Sequence, residues 1–502
     1  MSDAAVPQDD IAALAKGGRT NVTGFVLRLF ARIPFLFIAG RLYGPELVGR
    51  FALAVVVVEL AALIATLGLK RGLAQALANA DRPHVHVVWD AMAVAFVVSL
   101  AASAVLIAFP QAMYPDSDIH GLDRFLPCII FAIAWSDVSL AALAYRHNVK
   151  ATVTARAIVE PWTISIGAWI MSFVSFHDGL VLAYVASMAA AMIASVIPFV
   201  KSYGLPHGWS PRVRPLLALA RQNIPLAGAD AIEWGTRNVD RFILGLLFAP
   251  KIVGIYYMAQ QIASLPQKLK TSFEPVMGPV ITKSLADNDY AAVANQIRQV
   301  AFWTVAAQAG IALCGAIPGK AVMGVVGPQF VAGTAAMAFL LIAEVLASTG
   351  TVCESALVYV ARHRNLMISL AMLGVQIVLS FALIFAMRAR HWPINYQAAG
   401  PAVALMLSVA ATSTIKATLL KSVLKMRVSG FRWPLVWASL AAIAAGTIFT
   451  SLPHRFEWAE LALGIPAIVG AYGFVIWRWA FGPEDRKLFK KLPGPEEAAL
   501  PI

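Results

Sequence analysis

The chain has 502 residues, 59% of them hydrophobic and 13% charged, with a formal charge of +13. Ordinary globular chains are roughly 45–50% apolar and about 25% charged, so soluble, disordered and collagen-like classes are excluded. A bilayer-crossing helix takes roughly 20 apolar residues, and this length holds about twelve to fifteen of them with short loops. In a soluble chain the positive excess would point to nucleic acid, so the placement of the charges decides the reading.

The stretch MSDAAVPQDDIAALAKGGR is polar and acidic before Lys16 and Arg19. It lacks a short apolar core followed by a small-residue cleavage site, so no cleaved signal peptide is expected. Apolar runs bounded by charges, Gly or Pro then predict about fourteen helices. In chain order they are 20–42, 46–69, 86–109, 125–146, 153–176, 179–200, 222–249, 252–280, 296–317, 332–358, 365–387, 397–420, 434–451 and 459–481. Charges interrupt the seventh, eighth and tenth. Cys128, Cys314 and Cys353 fall far apart inside apolar runs and are expected as buried free thiols.

With the N-terminus taken as cytoplasmic and sides alternating, 25 of the 40 Lys and Arg, Lys70, Arg71 and Arg156 among them, count with the cytoplasmic segments and 8 with the other side. This bias predicts an even number of spans with both termini inside. The acidic loop MYPDSDIHGLDR (113–124) then falls outside. Anionic lipid beside the cytoplasmic loops accounts for the positive balance, and no nucleic-acid partner is expected.

One internal repeat is visible. GRLYGPELVGRFALA (40–54) aligns with GLLFAPKIVGIYYMA (245–259) at an offset of 205 residues. Gly40, Pro45, Val48, Gly49 and Ala54 match Gly245, Pro250, Val253, Gly254 and Ala259, and the offset also pairs Arg32 with Arg237. Each copy joins an odd-numbered span to the next, on the same predicted side. Six spans per copy keep the copies parallel, related by an axis along the membrane normal, which is a transporter plan.

ELVGRFALAVVVVELAALIATLGLKRGLA (46–74), following a span that carries arginines, resembles the second helix of polysaccharide-type flippases. NVDRFILGLLFAPKIVGIYYMAQQIASLPQKLKTSFEPVMGPVITK (238–283), VVGPQFVAG (325–333) and AAGPAVALMLSVAA (398–411) are similar to further markers of that group. AAGPA departs from the more typical Gly-x-x-Gly-Ala-Ala at one helix start. The resemblance covers nearly the whole chain and is to the multidrug/oligosaccharidyl-lipid/polysaccharide (MOP) exporter superfamily, nearest its Wzx-type O-antigen or exopolysaccharide flippases. It implies an all-α polytopic membrane protein with about fourteen transmembrane helices, in two pseudo-symmetric six-helix lobes plus a C-terminal helix pair. The expected divisions are an N-terminal lobe at 1–207, a C-terminal lobe at 208–428, the pair at 429–485 and a cytoplasmic tail at 486–502. It also implies alternating access in the bacterial inner membrane, with undecaprenyl diphosphate carrying an oligosaccharide repeat unit as substrate. Polysaccharide polymerase and chain-length machinery are the implied partners.

An Arg or Asp at the centre of a membrane helix costs about 2.5–3.5 kcal/mol and usually faces the bundle interior or an aqueous cavity. Arg28 and Arg32 lie four apart in the first span, on one face, and so must point at a cavity or at partners. The seventh carries Asp230, Glu233, Arg237, Asp240 and Arg241, and Glu233 with Arg237 is a favourable i,i+4 pair. Such a stripe reads either as mutual neutralisation holding the lobes together or as a hydrophilic cavity wall. The eighth adds Lys268, Lys270 and Glu274, where a lysine snorkelling to the cytoplasmic rim is the plain alternative. Single acids at Glu59, Asp137, Glu160, Glu344 and Glu354 read mostly as structural partners, with Glu59 the best functional candidate. Asp90 and Lys416 are discounted as close to span ends.

A diphosphate needs permanent, planar cationic donors, which Arg28, Arg32, Arg237 and Arg241 supply. Glu233, Asp240 and Lys270 would line the same cavity, and Trp234, Tyr256, Tyr257 and Gln260 or Gln261 offer faces and hydrogen bonds to sugars. Glu59, Asp230 and Glu274 are the candidates for ion coupling. AIPGKAV (316–322) is not a phosphate-binding P-loop, so an H+ or Na+ gradient rather than ATP is the expected energy source, with no cofactor. His84 and His86 are too few for a metal site, and none is expected. Competing readings are a lipid II flippase, a drug/cation antiporter of the same superfamily and, in another class, a membrane glycan polymerase. Short outer loops argue against the polymerase.

Overall fold

The computed structural model describes residues 30–115, 121–146, 148–266, 281, 284–285, 287, 289–451, 457–482 and 485. Among them there is no strand. A helix satisfies its own backbone polar groups where no water can, so long apolar runs fold this way in a bilayer.

The first helix, α1 (30–43), ends in a π-helical turn, Ala39–Tyr43. Pro45 then opens α2 (Gly44–Ala65), where its missing N–H leaves no bond unmade. Gly68 takes a left-handed φ of +70°, which stops α2 and starts α3 (Leu69–Ala78). The first half continues with α4 (His84–Ala108) and α5 (Ile129–Tyr145). It closes with α6 (Val149–Val153, a π-helical stretch Thr154–Val159, then Glu160–Met171) and α7 (Gly179–Tyr203). The second half comprises α8 (Val213–Leu247), α9 (Pro250–Ala263), α10 (Tyr290–Ala316), α11 (Thr334–Val360), α12 (Arg362–Ala389) and α13 (Ile394–Leu424). The last pair is α14 (Pro434–Thr450) and α15 (Ile465–Val475), the latter with π turns at both ends.

Among the described residues each predicted range contains helix, with 20–29 of the first and 267–280 of the eighth lying outside them. Among the same residues, however, nine helical stretches are long and apolar enough to cross a bilayer. The difference has visible causes. Residues 30–78 count as one stretch, α14 has only 17 residues, and α8 carries a dense run of charges. Phe173, Val97, Val378 and Phe474 are among many large apolar side chains left exposed, an outer surface suited to lipid rather than water. The chain is a multi-pass membrane protein.

One apolar cluster runs from Phe35 to Ala402 and draws on both halves. A second joins α10, α11 and α13 to α14 and α15. The halves interlock where α2 crosses α9 at Gly49 and Gly254, the glycines matched by the repeat. Nearby, Arg41 donates to the Val325 and Gly324 carbonyls at 3.1 Å each, and Gln329 donates to the Gly40 carbonyl at 3.2 Å.

The connection between the halves, 204–212, is fastened to α4. The Trp209 indole donates to Asp90 at 2.9 Å, Arg82 pairs with the same carboxylate at 2.7 Å, and the Trp89 indole donates to the Gly204 carbonyl at 3.3 Å. Asp90 is therefore a buried anchor rather than a rim charge, because it sits one and a half turns inside α4 and is screened by Trp209. At the other end of the chain, Asp485 accepts from Arg432 (2.6 Å), Trp303 (2.7 Å), the Gly482 backbone (2.8 Å) and Gln299, tying α15 to α10 and to the entry of α14. The cysteines correct the sequence reading: all three are free, but only Cys353 is buried, Cys314 is half-buried and Cys128 is exposed. An apolar flank in a membrane protein includes the surface that faces lipid.

Candidate functional site

Charged side chains from α3, α5 and α6 of the first half meet those of α8 at one seam. Arg71 donates to Asp230 at 2.9 Å and to Glu233 at 2.7 Å, and Glu233 also accepts from Arg237, one turn along α8, at 2.9 Å. Beside them Lys70 stands 4.0 Å from Asp137. Asp137 also pairs with Arg156, which reaches Glu160 at 2.7 Å. Gly68 and Gly72 let this part of α3 lie directly on Asn223 and Leu226 of α8. The Arg71, Glu233 and Arg237 side chains keep 54%, 49% and 38% exposure. Half-exposed charges on helices packed among apolar spans belong beside water or a polar ligand, since lipid contact would cost several kcal/mol.

A second group centres on Glu59 of α2. The Tyr184 hydroxyl donates to its carboxylate at 3.3 Å. The Arg241 guanidinium lies 5.5 Å from the Tyr257 ring, bonds Asn238, and leaves its Nε without a partner.

The predicted residues thus separate. Asp230, Glu233 and Arg237 come to the seam, whereas Glu59, Arg241 and Tyr257 belong to the second group and Arg32 is exposed on α1. Asp240 is held away from its neighbours on the stripe, fully buried, accepting from Tyr256 at 2.5 Å and from Gln260 at 3.2 Å. Trp234 packs against Phe242, ring centres 5.8 Å apart. Arg28, Lys268, Lys270 and Glu274 lie outside the described residues.

Three cations at the seam differ from expectation. Lys70, Arg71 and Arg156 read as loop charges on the cytoplasmic side, yet each pairs with an acid on a neighbouring helix. The flank of an apolar run looks the same whether its lysines meet lipid headgroups or acids across a seam. The signal that was available is the i,i+4 spacing of Arg156 and Glu160. Lys416, discounted as terminal, is buried two turns inside α13 and bonds Glu354 at 3.0 Å. Away from the seam, Asp123, His177 and Asp178 bring candidate metal-ligating atoms within 4.8 Å of one another, but Asp123 is already paired with Arg50.

Two halves of apolar helices thus interlock at one crossing and carry paired charges along the seam between them. Several solved structures share this fold at low sequence identity. The lipid II flippase MurJ, in an inward closed conformation, is 12% identical with a TM-score of 0.64, over 90% of this chain and 96% of that one. An inward-facing multidrug resistance MATE family transporter of the MOP superfamily is 13% identical with a TM-score of 0.59, over 84% and 96%. A point mutant of the Vibrio cholerae MATE transporter VcmN is 10% identical with a TM-score of 0.54, over 83% and 98%. No curated protein matches the chain. The family model described as "Polysaccharide biosynthesis protein" matches residues 38–324, more than half of the sequence. The chain belongs to that family, and its fold is the one these MATE and MurJ transporters share.

Proposed function

We propose that this transporter carries undecaprenyl-diphosphate-linked oligosaccharide repeat units across the bacterial inner membrane by alternating access, with both termini cytoplasmic. The observation that supports it is the meeting of arginines from both halves, Arg71 of α3 and Arg237 of α8, on the shared carboxylate of Glu233. A diphosphate cannot cross hydrocarbon unaccompanied. Guanidinium groups stay charged at every physiological pH and present paired donors to phosphate oxygens. The acids that hold these arginines, Asp230 and Glu233, would be released as the diphosphate takes their place. One oxygen of Asp230 is buried without a hydrogen-bond partner, which suits a site that takes up H+ or Na+ when Arg71 leaves. Polysaccharide polymerase and chain-length machinery would receive the product on the far side.

The test is complementation of a deletion strain. Arg28→Ala with Arg32→Ala, or Arg237→Ala with Arg241→Ala, at normal membrane levels, is expected to abolish surface glycan and to let the lipid-linked saccharide accumulate. Glycan display that persists in both double variants overturns the reading.

A further inference from the structure

A cavity of about 1040 Å³ opens in the second half, well apart from the charged seam, between α10, α11, α13 and α14. Its body is apolar, with Val305 and Ala309 from α10, Val345 and Leu346 from α11, and Ala410 and Ala417 from α13. One end carries Arg298, Lys421 and Arg427, and its lining includes no acid. None of the three is in an ion pair among the described residues, although Arg298 donates to Asn295 at 2.9 Å.

The depth of this end is set by its aromatic neighbours. Trp433, Trp477 and Trp479 are 69%, 48% and 60% exposed, and Arg432 joins the two helices that bear them by donating to the Ala480 carbonyl at 2.6 Å. Exposed tryptophans of membrane proteins gather at headgroup level. From Arg298 to Ala309 on α10, and from Lys421 back to Ala410 on α13, the cavity runs for about 16 Å at 1.5 Å per residue. That is close to one leaflet, half of the roughly 30 Å hydrocarbon core.

We propose that this cavity binds an anionic phospholipid of the bilayer, its phosphate held by Arg298, Lys421 and Arg427 and an acyl chain lying along the apolar body. The length fits a single-leaflet lipid, and three unpaired cations at phosphate depth supply the complementary charge. The occupant is a resident of the membrane and distinct from the transported molecule, so the site stands whether or not the proposed substrate is correct.

Native mass spectrometry of the full-length protein tests it, with phosphatidylglycerol and phosphatidylethanolamine of equal chain length. The wild type is expected to retain phosphatidylglycerol preferentially. The triple variant Arg298→Ala, Lys421→Ala, Arg427→Ala should lower that retention about tenfold or more, to the phosphatidylethanolamine level, with melting unchanged. Thr414→Trp, which fills the cavity from an exposed lining position and keeps all three cations, should lower it as well. Equal retention of the two lipids, undiminished retention in both variants, or displacement of phosphatidylglycerol by an equimolar polyprenyl phosphate would overturn the proposal; the last result would give the cavity to a polyprenyl chain.

Discussion

Gly49 and Gly254 meet backbone to backbone: a Cβ on Gly49 would stand 1.7 Å from the Pro250 carbonyl oxygen, and one on Gly254 1.9 Å from that of Pro45. The same offset of 205 residues relates the two glycines and the two prolines. The contact therefore maps onto itself when the halves are exchanged, as a pseudo-two-fold axis through the crossing requires. Alanine at either glycine is expected to open the crossing and stop transport without loss of membrane protein. In a background lacking Cys128, Cys314 and Cys353, Val48→Cys should react with a thiol reagent several-fold faster when Gly254→Ala is added. Unchanged labelling together with full transport would show that the crossing opens freely.

Arg71 holds two acids of unequal burial, Asp230 at 7% exposure and Glu233 at 49%. Removing its side chain leaves the buried carboxylate short of a donor, a cost of about 1–3 kcal/mol. The exposed partner is worth about 0–1 kcal/mol. Double-mutant cycles read from thermal unfolding in detergent should give a larger coupling for Arg71 with Asp230 than for Arg71 with Glu233.

Lys416 and Glu354 form a pair with one end buried, at 4% exposure for the lysine and 42% for the glutamate. The two ways of breaking it should differ. Glu354→Gln strands a buried ammonium, which costs about 3–5 kcal/mol at full burial. Lys416→Met leaves a carboxylate that already has access to solvent and should move the melting temperature little. Equal shifts in the two variants would mean that the lysine reaches water by another route.

Asp485 gathers Arg432, Trp303, Gln299 and the Gly482 backbone at the end of the last helix. Asp485→Ala leaves those donors unmatched, a loss of about 1–3 kcal/mol. The expected readout is faster limited proteolysis after α13, releasing the α14–α15 pair, while α1–α9 stays protected.

The apolar runs placed the helices well, because hydropathy in a membrane protein reports burial and lipid contact alike. They could not separate a charge at a rim from one at a seam. Lys70 and Arg71 follow an apolar run just as a cytoplasmic anchor does, and only the fold shows that the Gly68 bend turns them toward α5 and α8. The α8 stripe was legible by its 3 and 4 spacing, and Glu233 with Arg237 pairs as that spacing implies. Asp240 sits on the same stripe and still faces elsewhere, because Tyr256 and Gln260 of α9 claim it. A helical face is a local property, whereas the choice of partner depends on which helix packs against it.

The fastening of Trp209 to Asp90 also sets a mechanical limit. With Trp209 held on α4 and α8 beginning at Val213, four peptide steps join the halves along the chain. Fully extended they reach at most about 14 Å. The polypeptide is thus a short leash on this edge of the molecule, and as long as the indole keeps its hold, any gap between the halves here is capped by leash length.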